Sequence, residues 1–325
     1  MNLLRVITVS ILSSLTFGCI YLTNPYKSID NEFLRYVGQG KVGAAYDVRV
    51  QDGFAYVTNN DGVVIFDVSQ PENLKKIGKI DIGTSSFGID IEKNSIYIAG
   101  GNRLIIADIT HPENPEILGD TNLNSVLSKV RIKGNFAYIA SREKGLQIVD
   151  VSNPKNPEKI GIFNNGGAGQ AVEIADNVVY YADSKDGLEI IDVSDPAAPR
   201  LVTTVPETVG AFDIFIDTAK EFPELYIGCH GNGIFIVRIG SDGKYHILGH
   251  FDDGGESLGV WFDNNNLFVA DNFEFEILNV SEPLKPKKII EINNLNGLHD
   301  LFVEGKYIYL ADGAKGLIIL EYKAQ

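Results

Sequence analysis

Cysteine is almost absent from this chain, which has only Cys19 and Cys229 among its 325 residues. Two cysteines cannot form a disulfide framework and are too few for a cysteine-based zinc site. We expect Cys229 to be a small, half-buried apolar residue at the end of a strand. His230 follows it directly, but adjacent strand residues point to opposite faces, which argues against a thiol–imidazole pair.

Positive charge is also scarce. The chain has 28 Lys and Arg against 43 Asp and Glu, which gives a formal net charge of −15. Nucleic acids and anionic membrane surfaces are bound by clustered Lys and Arg. We therefore expect neither as a main ligand, and we interpret the acidity as a contribution to solubility.

Long hydrophobic runs are missing except at the N-terminus. Residues 3–17 are apolar or small apart from Arg5, too few for a comfortable membrane span, and Gly18 and Cys19 follow. This segment resembles a lipoprotein signal peptide, which implies that residues 1–18 are removed, Cys19 is lipidated and residues 19–32 form a polar tether. Thr16 and Phe17 depart from the usual signal, so a cleaved ordinary signal and an uncleaved anchor stay open alternatives.

What the chain does have is a repeat of about 42 residues. An apolar run followed by Asp-Val-Ser-x-Pro recurs, as in Leu146 to Ser152, and an aromatic residue stands eleven or twelve residues before the residue at the Asp position of each unit. The two markers keep step through seven units; the aromatics are Tyr56, Tyr97, Tyr138, Tyr180, Tyr226, Phe268 and Tyr309. A period of this length indicates a solenoid or a propeller.

Each unit contains short runs rich in Val, Ile, Tyr and Phe, bounded by Gly, Asn, Asp or Pro, which is typical of strands. In the third unit we predict antiparallel strands at Val130–Ile132, Phe136–Ala140, Leu146–Val151 and Lys159–Phe163. Four strands per unit predict one propeller blade. The fold class is therefore all-β, a seven-bladed β-propeller over residues 33–325.

The ring is expected to close through its two ends. The last unit stops after its third strand, whereas residues 33–38 ahead of the first unit look like a fourth strand. An open array would leave an unpaired edge that invites aggregation. We predict that residues 33–38 complete the blade formed by residues 299–322.

The phrase Leu146-Gln147-Ile148-Val149-Asp150, with its Val-Ser-x-Pro continuation, resembles the LVIVD-repeat family. The resemblance covers roughly residues 33–322. It implies a β-propeller of a bacterial or archaeal cell-surface protein and implies no particular reaction.

The recurring aspartates Asp67, Asp108, Asp150 and Asp192 are spread one per blade. Their regular Val-Ser-x-Pro sequel suits Asp and Ser side chains that bond to the turn backbone. We expect a structural role for them rather than a catalytic one.

Four other aspartates are candidates for a site on what we call the top face, the face with the starts of the first strands and the loops after the second strands. They are predicted at the inner strands' top ends: Asp47, Asp90, Asp213 and Asp300, with Val130, Val172 and Val260 in the equivalent places of three other units. Converging carboxylates would bind a hard cation such as Ca²⁺. The alternative is that each caps a turn or pairs within its own blade. Tyr46, His299 and His230 could add a polar contact or a base.

Two functions follow as hypotheses. The first is a monomeric, lipid-anchored, non-catalytic module of the cell envelope, facing the periplasm or the exterior, that binds a protein or glycan through the top face and channel mouth. The alternative is a metal-assisted hydrolase or lyase in which the four aspartates hold the ion and His299 or His230 is the base. Propellers host both kinds of function, so the fold alone does not choose.

Overall fold

A computed structural model describes residues 25–29, 31–241, 243–295 and 297–323. In this part of the chain seven sheets of four antiparallel strands form a ring, which confirms the predicted seven-bladed propeller. No helix in these ranges is long and apolar enough to cross a membrane. The predicted signal peptide, Cys19 and residues 20–24 of the predicted tether lie outside the described residues.

The blades follow one another along the chain, and in blades 1 to 6 the strands run in chain order from the axis outward. Their strands are Val48–Gln51, Phe54–Thr58, Gly62–Asp67 and Lys75–Asp81 (blade 1); Ser86–Glu92, Ser95–Gly100, Arg103–Asp108 and Glu116–Asn122 (blade 2); Leu127–Lys133, Phe136–Ser141, Gly145–Asp150 and Glu158–Phe163 (blade 3); Gly169–Ala175, Val178–Asp183, Gly187–Asp192 and Arg200–Val205 (blade 4); Ala211–Asp217, Glu224–Cys229, Gly233–Ile239 and Tyr245–Phe251 (blade 5); Ser257–Asp263, Asn266–Asp271, Glu274–Asn279 and Lys287–Ile292 (blade 6). Short 3-10 helices lie at Pro25–Ser28, Pro71–Asn73 and Pro206–Thr208.

Blade 7 joins the two ends of the chain, as predicted. Its inner strands are Leu298–Glu304, Tyr307–Asp312 and Gly316–Tyr322, and the N-terminal strand Leu34–Gly40 pairs antiparallel with the last of them. The packing reaches back into the segment expected to be a tether, because Tyr26 is buried against this blade and its hydroxyl donates to Asp312 Oδ2 at 3.2 Å.

The core is divided into seven apolar clusters, each filled by residues of two neighbouring blades. The seven aromatics that marked the repeat are buried and face the next blade: Tyr56, Tyr97, Tyr138, Tyr180, Tyr226, Phe268 and Tyr309. Aromatic rings bury a large area per residue. The sequence marker is therefore the contact that joins consecutive blades.

The repeated Gly and Pro also meet between blades. A Cβ added to Gly161 in the last strand of blade 3 would lie 2.0 Å from the carbonyl oxygen of Pro196 in the outer turn of blade 4. Gly249 has the same relation to Pro283, at 1.8 Å. Only glycine allows the backbone of the next blade to approach this closely.

Candidate functional site

The innermost strands place two layers of side chains around the channel axis. The upper layer is nearer the top face, and each of its residues pairs with the second-strand residue two places after the marker aromatic. Its members are Asp47, Gly88, Lys129, Ala171, Asp213, Gly259 and Asp300. The lower layer pairs with the marker aromatics themselves; its members are Arg49, Asp90, Arg131, Glu173, Phe215, Trp261 and Phe302.

This register corrects the sequence alignment of the inner strands. Asp90 belongs to the lower layer, and the upper-layer residue of blade 3 is Lys129 rather than Val130. The physical reason is the distance from the hairpin: Asp90 lies seven residues before its marker aromatic, as Arg49 does, whereas Asp47 and Lys129 lie nine residues before theirs. Strand residues two apart share a face but lie in different layers, and adjacent residues such as Val130 point to the opposite face.

Lys129 crosses the channel in the upper layer. Its ammonium lies 3.3 Å from Asp47 Oδ2 on blade 1 and also contacts Asp300 on blade 7. Arg49 adds a second positive charge, with Nη1 3.0 Å from Asp47 Oδ1 and 4.0 Å from Asp300 Oδ2. The ammonium thus occupies the position that a cation bound by these two carboxylates would take.

Carboxylate oxygens of the axial aspartates also accept hydrogen bonds from backbone N–H groups, most of them on the next blade. Ile89 N–H donates to Asp47 Oδ2 at 3.0 Å, and Val260 N–H donates to Asp213 Oδ2 at 3.0 Å. In the lower layer Ile132 N–H donates to Asp90 Oδ2 at 2.7 Å. Bonds within one blade, as the alternative predicted, are also present, since Asp47 pairs with Arg49 and the Leu301 N–H donates to Asp300 Oδ1 at 2.7 Å. These aspartates therefore bond within their own blades and also join neighbours around the ring.

The buried charges shift one another's protonation. Burial disfavours the ionised form of Asp47, but Arg49 and Lys129 outweigh it and hold the pKa of Asp47 well below its ordinary value. Burial raises the pKa of Asp300, and the charges of Asp47 and Asp213 act in the same direction. The pKa of Lys129 is raised because nearby carboxylates outweigh its burial.

Above the upper layer lies a chamber of about 170 Å³. Four half-buried rings line it, those of Tyr46, Phe87, Phe212 and His299. Tyr46 contacts both Phe87 and His299, with 5.1 Å between ring centroids in each case. The exposed guanidinium of Arg142 stands 5.3 Å from the Phe87 centroid, at the rim of this upper chamber.

Below the upper layer lies a second chamber of about 280 Å³, whose residues the sequence analysis missed apart from Asp90, Asp213 and Asp300. One side carries charge, with Arg131 Nε 2.7 Å from Glu173 Oε1. The other side carries rings, with the Trp261 and Phe302 centroids 4.5 Å apart. The sequence did contain a signal for this chamber. The inner-strand residue that pairs with the marker aromatic changes type from blade to blade, while the residues around it repeat.

The three other predicted site residues divide between two places. Tyr46 and His299 line the upper chamber with Asp213 and Asp300, and burial lowers the pKa of His299. His230 lies on the outer rim, exposed, with Nε2 3.6 Å from Glu256 Oε1. Cys229 beside it is buried, its thiol lies 3.4 Å from the Thr208 carbonyl oxygen, and burial raises its pKa to about 12. A raised pKa does not suit a nucleophilic thiol.

A close group of carboxylates lies in blade 6, away from the axial aspartates. Within the described ranges one group of three carboxylates has its ligand atoms within 4.8 Å of one another, namely Asp253, Glu274 and Glu276 in blade 6 and the connection before it. The four axial aspartates do not form such a group. Binding of Ca²⁺ by them stays a prediction, which the geometry of Lys129 does not favour.

The recurring outer aspartates bond to their own turns. The Oδ1 atom accepts the N–H two residues later, as in Asp150 with Ser152 at 2.9 Å and Asp192 with Ser194 at 2.9 Å. The serine hydroxyl of the blade 4 turn donates to the same oxygen at 2.6 Å. These bonds match the structural role expected from the sequence.

The LVIVD repeat family model matches residues 42–81, 85–122, 127–165, 166–206 and 298–321, together more than half of the chain. The chain belongs to the LVIVD-repeat family. The unmatched fifth and sixth blades carry Arg238 and Asn279 where the repeat has Asp, yet both have the same four strands.

Solved structures share the fold at low sequence identity. The β-propeller domain of Myceliophteria thermophila Cps50 (Swd1) aligns with a TM-score of 0.74 at 12% identity, over 90% of this chain and 100% of that one. The computationally designed Ika8 protein aligns with a TM-score of 0.64 at 9% identity, over 86% of this chain and 83% of that one. A comparison with curated proteins found no match. Identities this low establish the propeller and leave its ligand open.

Proposed function

We propose that this protein is a non-catalytic binding module of the cell envelope, held at the membrane by a lipid on Cys19, that takes part of a protein or glycan partner into the upper chamber. The LVIVD repeats and the propeller fold suit an interaction module. The observation that carries the proposal is the ring-lined upper chamber with Arg142 at its rim.

The charges around the chamber support binding rather than chemistry. Asp300 and Asp47 contact Lys129, and Asp213 accepts a backbone N–H, so these carboxylates are engaged in holding the ring together. A carboxylate that acts as a general base or a metal ligand needs a free oxygen directed at the reacting group or the ion. The upper chamber offers rings and a cation instead.

The partner group that fits is a small ring or side chain bearing a carboxylate. Aromatic rings stack on apolar faces of sugars and side chains, and a guanidinium binds a carboxylate through two parallel hydrogen bonds. Arg142 takes part in no ion pair among the described residues, and its contact with the Phe87 ring holds the guanidinium at the chamber rim. An acidic sugar or an acidic peptide side chain meets these conditions.

The test is binding of the 325-residue chain to arrays of acidic glycans and acidic peptides. We expect Arg142→Ala and Phe87→Ala to weaken binding at least about tenfold, since a charge-assisted hydrogen bond contributes roughly 1.5–3 kcal/mol. The matched control is Arg103→Ala. Like Arg142, Arg103 lies at the junction between the second and third strands of its blade, but it forms an ion pair with Asp120. Equal binding by all variants, or no binding to either class, would contradict the proposal.

The anchor is tested separately by fractionation and lipid labelling of wild type and Cys19→Ala. We expect the wild type in the membrane fraction with a labelled lipid, and loss of both in the variant. Retention of Cys19→Ala in membranes without label would indicate an uncleaved anchor, and secretion of both forms would indicate an ordinary signal.

A further inference from the structure

Blades 4 and 6 share a set of residues that the other blades do not combine. Each has an acid at the end of its second strand, a glutamate in its third strand and two glycines in the connection that enters the blade. In blade 4 these are Asp183, Glu189 and a pair ending at Gly167; in blade 6 they are Asp271, Glu276 and a pair ending at Gly255. At the glutamate position the other blades carry Val64, Ile105, Gln147, Phe235 and Ile318.

In blade 4 both carboxylates are fully buried, with 0% exposure for Asp183 and Glu189. One oxygen of each is bonded: Asp183 Oδ1 accepts the N–H groups of Lys185 and Asp186, and Glu189 Oε1 accepts the Asn165 amide. The other two oxygens, Asp183 Oδ2 and Glu189 Oε2, have no hydrogen-bond partner among the described residues.

One loop covers both carboxylates. Asn165 bonds to Glu189, and two residues later a Cβ on Gly167 would lie 1.8 Å from Asp183 Oδ2, so only glycine fits against that oxygen. The two acids lie on the same face of neighbouring strands, because Asp183 pairs with Gly187 and Glu189 follows two residues later. In agreement with this register, burial and the charge of Asp183 raise the pKa of Glu189 to about 7. The Lys185 ammonium bonds to the Gly166 carbonyl oxygen at 3.1 Å, on the exposed side of the loop.

Blade 6 fills the corresponding place with its own cation. The ammonium of Lys288 lies 2.5 Å from Glu276 Oε1 and 2.6 Å from Glu291 Oε2, and it also contacts Asp253, which corresponds to Asn165. Lys288 pairs with Leu278 in its sheet, as Leu201 pairs with Ile191 in blade 4. Blade 4 therefore has a leucine where blade 6 has the lysine.

We propose that Asp183 and Glu189 form a site for a hard inorganic cation of the Ca²⁺ class between blades 3 and 4, where the ion takes the part that the Lys288 ammonium plays in blade 6. Buried carboxylates without a counter-charge are costly, and carboxylate oxygens are the ligands that Ca²⁺ prefers. The site is separate from the axial aspartates and from the upper chamber, so it does not depend on the binding function proposed above.

The experiment is calorimetric titration of the chelator-treated 325-residue chain with CaCl₂, beside melting curves with and without EDTA. We expect one bound Ca²⁺ and a higher Tm in its presence. Glu189→Gln should weaken binding at least tenfold. Leu201→Lys should abolish it, because a lysine there brings an ammonium to the two carboxylates as Lys288 does; its melt should become insensitive to EDTA.

Leu201→Gln is the matched control and should bind like wild type, since Leu201 is 43% exposed and glutamine carries no charge. This exposed position keeps the test informative even if Glu189→Gln folds poorly. No Ca²⁺ binding by wild type would overturn the proposal and leave a proton as the counter-charge. Binding that survives both Glu189→Gln and Leu201→Lys would overturn it too, and would assign the ion to Asp253, Glu274 and Glu276 or to the axial aspartates.

Discussion

The aspartates that recur at one position of blades 1 to 4 and the carboxylates that break the repeat have opposite environments. Asp150, a recurring one, lies at the outer turn and bonds to the backbone of its own turn. Asp47, in the upper layer of blade 1, has 0% exposure and bonds to Arg49, Lys129 and a backbone N–H of the next blade. Glu189 is equally buried and faces the blade before it.

The difference has a simple physical basis. A residue that helps to build a blade is reused at the same position of several blades, so it repeats and serves the turn or the sheet. A residue that appears in one or two blades serves something the molecule has once, such as a pair of charges across the axis. In a propeller, irregular positions within a regular pattern are therefore the first place to look for a site.

The sharpest test of the comparison is Lys129→Met. It leaves Asp47 and Asp300 buried without their shared ammonium, and removal of one partner from a buried ion pair costs about 3–5 kcal/mol of unfolding free energy. Urea unfolding measures it. The control is Lys133→Met on the same strand, whose exposed ammonium bonds only to the Asp176 carbonyl oxygen and whose loss should change little. A Lys129→Met protein as stable as this control would show that the axial charges do not hold the ring.

An intermediate effect is expected from pH at Glu189. Its pKa is about 7 in the folded chain against an ordinary 4.5, so the folded state binds its proton more tightly. The contribution to stability is complete below pH 4.5 and is lost as the pH rises through 7, an effect of about 2 kcal/mol after allowance for solvent screening. Urea unfolding at pH 5 and pH 8 in chelator measures it.

Glu189→Gln is the companion variant, because an amide has nearly the same shape and is uncharged at every pH. Its stability should change less than that of wild type between the two pH values. Identical pH profiles for the two proteins would mean that Glu189 ionises normally and that the buried pair has another counter-charge.

The smallest effect is expected from Asp150→Ala. The change removes the acceptor of the Ser152 N–H in an exposed turn, where water can replace the carboxylate. The loss of unfolding free energy should therefore stay below about 1 kcal/mol. Thermal unfolding beside wild type measures it. A loss as large as that of Lys129→Met would contradict the distinction between recurring and irregular carboxylates.

Much of the fold could be predicted because its signals are local. The apolar run Phe136–Ser141 and the polar turn that follows it both lie within a few residues. The strand predictions for blade 3 agree with the structure to within three residues at each end. Closure by residues 33–38 also followed from local patterns, since one end lacked a strand that the other supplied.

The candidate site was predicted only in part, because its geometry depends on strand register. Tyr46, His299, Asp213 and Asp300 do meet at one chamber. Asp90 was assigned to the wrong layer because it lies two residues nearer its hairpin than Asp47 does, and a strand keeps side chains two residues apart on the same face. Phe87 was not singled out, since nothing in its own segment shows that the ring brings blades 2 and 3 together at the axis.

The sequence by itself determined the seven blades, the closing strand and the turn role of the recurring aspartates, because strand period, turn chemistry and repeat length act over short distances. Only the tertiary structure decided which charges meet. Lys129 and Asp300 are 171 residues apart and become partners because the ring places blades 3 and 7 on opposite sides of one narrow channel. Asp183 and Glu189 become a candidate cation site because a glycine loop and the preceding blade remove them from water.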